Sequence, residues 1–84
     1  MKFTVLWKPT AQSELATLWM NSGDRAAISS AANQIDAELR MDPQQVGESR
    51  ADEMRVLIVP PLGVDFEVTE DDRTVQVLSV WIIR

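Results

Sequence analysis

The sequence predicts an α+β domain: a helical hairpin packed on a four-stranded, mainly antiparallel sheet, in the order β-α-α-β-β-β. Three observations predict it. The amino-terminal stretch alternates apolar and polar residues with a period of two. Two consecutive segments then place apolar residues at helical spacing. The carboxy-terminal third returns to strand-like runs separated by short turn sequences.

Taken in order, Lys2 to Trp7 sets Phe3, Val5 and Trp7 on one face and is rich in β-formers. Pro9 closes that strand and Thr10 is positioned to cap a first helix, in which Ala11, Leu15, Leu18 and Trp19 recur at helical spacing to about Met20. Asn21-Ser22-Gly23-Asp24 is turn chemistry, with Ser22 or Asp24 as the cap of a second helix. Its stripe of Ile28, Ala31, Ala32, Ile35 and Leu39 runs to about Met41, before Asp42-Pro43. Gln44 to Glu53 lacks an apolar period and reads as one long irregular loop. Met54 to Val59 reads as a strand, Pro60-Pro61-Leu62-Gly63 as a turn, and Val64, Phe66 and Val68 as the buried side of a strand whose other side carries Asp65 and Glu67. Glu70-Asp71-Asp72-Arg73 turns the chain into a last strand, Thr74 to Ile83, apolar on both alternating sets (Val75, Val77, Trp81, Ile83 and Leu78, Val80, Ile82). Such a strand is expected to be central and covered on both sides. Residues 1–84 form a single domain, with a core small enough for a bound partner to add useful stability.

Composition narrows the chemistry. With no histidine, cysteine or tyrosine, the chain offers no serine triad, no thiolate nucleophile and no thiolate metal site. No cofactor is expected. Eight Lys and Arg against thirteen Asp and Glu give a formal net charge of −5, which repels a phosphate backbone, so direct binding to free nucleic acid is not expected. The charge is uneven: residues 1–42 hold four basic and five acidic side chains, and residues 43–84 four and eight. The second half is therefore suited to a basic partner. Glu67, Glu70, Asp71 and Asp72 lack the spacing of a calcium loop and read as a solvated hairpin end, so no metal is expected. No apolar run reaches the roughly 20 residues of a membrane span, and Lys8-Pro9 interrupts the amino-terminal run before a signal-peptide core; a cytoplasmic location is expected.

Several features together resemble the RelE/ParE superfamily of type II toxins. They are the strand ending in Trp7-Lys8-Pro9, Ala11 and Leu15, the Ile35-to-Leu39 helix, Asp42-Pro43, Gly47, and the strands Met54-Arg55-Val56-Leu57 and Val75-Gln76-Val77-Leu78-Ser79-Val80. The resemblance implies a small cytoplasmic protein of the kind associated with plasmid stabilisation, neutralised by a cognate antitoxin. RelE-like members cleave mRNA on the ribosome and ParE-like members poison DNA gyrase. For RelE-like chemistry the resemblance points to Arg50, Arg55 and Arg84 as charge-stabilising residues. It also marks departures: Gly63 stands where an arginine is expected, Arg84 falls one place late, and no Tyr or His follows it. Protein–protein binding is accordingly the first reading, with ribosome-dependent mRNA cleavage and a non-toxic interaction module as alternatives. The same three arginines also read as exposed partners of Glu48, Glu53 or Asp52. Trp7, Trp19 and Trp81 sit in apolar phases and read as core. A surface patch of Trp81, Ile82 and Leu62 is expected to be covered by a partner or by a second copy in a homodimer.

Overall fold

The computed structural model describes residues 2–51 and 54–83. Strand β1 (Thr4–Trp7) buries Val5, follows the buried Phe3, and leads directly into helix α1 (Pro9–Asn21). The helix begins on Pro9, and Lys8 at the cap position makes no side-chain cap. Thr10 therefore lies inside the first turn. Proline at this position costs nothing, because a first-turn N–H has no intrahelical acceptor. Helix α2 (Arg25–Met41) is capped as the sequence suggests: Asp24 accepts from the Ala27 N–H at 3.1 Å. Its stripe of Ile28, Ala31, Ile35 and Leu39 is buried.

Five strands form the sheet, in the order β1-β5-β4-β3-β2. The added strand is β2 (Glu48–Ala51), which corrects both the four-strand expectation and the reading of Gln44–Glu53 as loop throughout. Its sequence, Glu-Ser-Arg-Ala, carries no apolar period because it is an outer strand held through its backbone on one side only. Strands β3 (Met54–Val59), β4 (Leu62–Thr69) and β5 (Thr74–Ile82) form the antiparallel meander, and β1 adds to β5 in parallel. The β3–β4 connection is the cis Pro60-Pro61 pair alone, so Leu62 and Gly63 belong to β4 rather than to the turn.

Strand β5 is an interior strand, paired with both β1 and β4, but the expectation that it is covered on both sides is not met, because the helices pack on one face of the sheet only. The register shifts between Asp65 and Phe66, which face Ser79 and Val77, leaving Leu78 as the extra residue of a bulge. The bulge reverses the alternation. Val75 and Val77 point inward before it; Val80 is buried and Ile82 packs on the core after it. Trp81, expected to share a face with Val75 and Val77, is thereby placed on the other side. Leu62 is fully buried and belongs to the core, so the expected Trp81–Ile82–Leu62 patch does not form.

The core is one cluster between the helices and the inner sheet face, around Phe66, Ile28, Ile35, Leu39, Val64 and Val77. No buried polar side-chain atom among the described residues lacks a hydrogen-bond partner. No helix among them is long and apolar enough to cross a membrane.

Candidate functional site

A concavity of about 940 Å³ lies between the helical hairpin and β1. Its walls include Val5, Trp7, Leu15, Trp19 and Ile28, and Met20, Asp36 and Arg40 stand at its margin. Three large apolar side chains around it stay in solvent: Leu6 at 48% exposure, Trp19 at 40% and Met20 at 65%. Trp19 was expected in the core. It instead caps the hairpin end, donating from Nε1 to Ser29 Oγ at 3.1 Å, with the Arg25 guanidinium 4.7 Å from its ring centroid.

The same cleft runs along an open sheet edge. The amides of Thr4 and Lys8 donate to β5 carbonyls or the turn before it, at 2.8 and 3.0 Å. Alternate residues of a strand point their backbone groups to opposite sides, so those of Val5 and Trp7 face the cleft. Among the described residues, the Trp7 carbonyl is occupied by the Gln12 side-chain amide at 2.8 Å. Farther along, where β1 has ended, Glu14 of α1 covers the edge of β5 by accepting from the Val80 N–H at 3.1 Å.

The arginines singled out from sequence have different surroundings. Arg55 is half-buried and points to the inner side of the sheet, where Nε donates to the Val46 carbonyl at 3.1 Å and Nη2 to the Gly47 carbonyl at 3.2 Å. These bonds tie the segment leaving α2 onto β3. Arg50 sits at the β2 bulge and is exposed, 3.5 Å from a Glu48 carboxylate oxygen. The sequence-level pairing of Arg50 with Glu48 is thus present. Arg84, like Asp52 and Glu53, lies outside the described residues.

No protein-family model and no curated protein matches the sequence. Solved structures do match over almost the whole chain. The toxin–antitoxin complex RelBE2 from Mycobacterium tuberculosis superposes with a TM-score of 0.80 at 16% identity, covering 98% of this chain and 92% of that one. A chromosomal ParDE toxin–antitoxin system from P. aeruginosa gives 0.76 at 17% identity, covering 99% and 98%. The isolated E. coli RelE toxin gives 0.70 at 13% identity, covering 98% and 85%. The fold is that of the RelE/ParE toxins.

On this RelE/ParE fold the outer sheet face, opposite the helices, differs from a cationic catalytic surface. Gly63 of β4 is buried beneath Trp81: a Cβ built on it would meet Trp81 Nε1 at 2.6 Å and Ile58 Cδ1 at 2.9 Å. Indole and isoleucine therefore occupy the space around the position where the resemblance anticipated an arginine. Beyond them Asp65 accepts from the Ser79 hydroxyl, and Glu67 lies two residues farther along β4. The β5 bulge that turns Trp81 outward was the feature sequence periodicity missed. Its only trace was that both alternating sets of the strand are apolar.

Proposed function

We propose that this chain is the toxin-like component of a type II toxin–antitoxin pair and that it acts mainly by protein–protein binding. Its first partner is an antitoxin, and its target is a protein of the kind ParE-like toxins engage, such as gyrase. The observation that carries this reading is the apolar cleft beside the open edge of β1, where Leu6, Trp19 and Met20 remain in solvent. An exposed edge strand next to apolar side chains is the chemistry of a seat for a polypeptide segment, which satisfies the strand's backbone and buries the side chains. The fold supports the same reading, since two of the matching structures are named as toxin–antitoxin complexes. The disposition of Arg55, which spends two donors on backbone carbonyls, weighs against it as a phosphate-gripping group.

The reading is tested by induced expression in a bacterial host, alone and with the product of the neighbouring reading frame. Growth arrest relieved by that product is expected. A Leu6→Glu, Met20→Glu variant, altered only at exposed positions, should still arrest growth but escape relief. Inhibition of gyrase supercoiling at micromolar protein would identify the target class. Codon-positioned cleavage of mRNA in cell-free translation, lost in a variant of the exposed Arg50, Arg50→Ala, would overturn the reading in favour of RelE-like catalysis.

A further inference from the structure

The helices cover one face of the sheet only, and the other face has a pattern of its own. Pairing aligns it in rows. Glu67 lies across from Gln76 and Met54, with Leu6 of β1 beyond Gln76; Asp65 from Ser79 and Val56, with Glu48 beyond; Gly63 from Trp81 and Ile58. Three carboxylates thus share one face with an apolar end made by Trp81 resting on Gly63 and by Ile58, which is 44% exposed.

Two of these three carboxylates have no ion-pair partner among the described residues. The ion pairs among the described residues are Arg40–Asp36, on α2, and Arg50–Glu48. Asp65 is bonded to a neutral hydroxyl, and Glu67 has no cation within ion-pair distance among the described residues. Acid side chains on a half-exposed sheet keep it soluble, but an exposed isoleucine and an indole at one end of the same row do not serve that purpose. The face also runs against two other occupants. A second copy would bring like charges together, and a nucleic acid would bring phosphates to carboxylates.

The geometry points to this outer face as the docking surface for an extended, basic polypeptide segment with one large apolar anchor. The inference rests on the protein-binding reading above and specifies the chemistry of a partner. Alternate residues of a strand are spaced by roughly 7 Å, so Glu67, Asp65 and Gly63 form an evenly spaced row along β4. A segment lying along that row matches it with Lys or Arg at two positions separated by one residue and a Leu, Ile or aromatic side chain two residues farther on. The cations meet Glu67 and Asp65, and the anchor lies on Trp81 and Ile58.

The test uses fluorescein-labelled 12-residue peptides and the full chain, read by fluorescence anisotropy in 50 mM NaCl. One peptide carries Lys-Ser-Lys-Ser-Leu at its centre, a second the reversed order, and a third the same composition scrambled. At least one ordered peptide should bind tenfold or more tightly than the scramble. Glu67→Lys with Ile58→Ser should weaken it at least tenfold, and Met20→Ser, on α1 at the cleft on the helical side, should leave it unchanged. The inference is overturned if the scramble binds equally, if the cleft variant abolishes binding, if 12-nucleotide polyuridine binds more tightly, or if sedimentation shows a second copy excluding the peptide. These outcomes are separable from failure of the proposed function, which would appear as absence of growth arrest by the wild-type chain.

Discussion

At the residue scale, two glycines and one arginine show how little freedom the sheet leaves. Gly47 has φ of +72°, and a Cβ there would lie 2.3 Å from the Val56 carbonyl oxygen. The left-handed conformation alone costs a residue with a side chain about 1–2 kcal/mol, and the contact is with backbone, which cannot swing away. Gly47→Ala is therefore expected to lose more than about 2 kcal/mol, measured by urea unfolding; a loss below half of that would show that the loop relaxes freely. Gly63 differs, since its close neighbours are side chains, the indole ring of Trp81 and the terminal methyl of Ile58. For Arg55, removing a guanidinium that serves two carbonyls should cost about 1–3 kcal/mol. Arg55→Met, which keeps the apolar stem, checks this: reduced stability is the expected result, whereas unchanged stability would return Arg55 to consideration as a surface functional group. Gly47 and Arg55 were both visible in the sequence, but the contact between their neighbourhoods was not, because it depends on how the chain after α2 meets β3.

At the scale of elements, the helical hairpin is closed by side chains. Arg25, the first residue of α2, donates from Nε to the Trp19 carbonyl at 3.2 Å and from Nη2 to the Met20 carbonyl at 3.2 Å while lying over the Trp19 ring. It thus supplies donors to the last turn of α1, where carbonyls lack helical partners. Arg25→Ala should cost about 1 kcal/mol, read as a lower urea midpoint with an unchanged slope. An increase in stability would mean that the arginine is retained for binding at the cleft. Helix α2 was legible because its apolar stripe and its Asp24 cap are local signals. Strand β2 was not, because an outer strand with polar side chains looks like a loop until its backbone partner is known. The phase of β5 beyond Leu78 was likewise hidden, since a bulge is defined by two strands together.

At the scale of the molecule, the net charge of −5, with Asp65 and Glu67 outside the ion pairs formed among the described residues, makes self-repulsion a cost of folding. Salt at 1 M shortens the screening length to about 3 Å. Raising NaCl from 0.05 to 0.5 M should therefore raise the thermal midpoint by a few degrees, roughly what 1 kcal/mol gives a domain of this size. A fall would indicate that ion pairs contribute net stability. The distribution of surface properties also separates two faces: an apolar cleft beside β1 on one side, and an acidic sheet with an apolar end on the other. The two proposed binding surfaces therefore lie on different parts of the molecule.

The sequence by itself determined the fold class, the two helices, the interior place of the last strand and the absence of histidine, cysteine and tyrosine chemistry. These follow from composition and from periodicities that each segment carries alone. Only the tertiary structure decided that a fifth strand forms, that Trp81 covers Gly63 on the outer face, that Trp19 stands in solvent at the hairpin end, and that Arg55 is committed to the Val46 and Gly47 carbonyls. Each of these depends on pairing between residues distant in the chain. There the side chain's surroundings are set by register and by a bulge, and no single stretch of sequence encodes them.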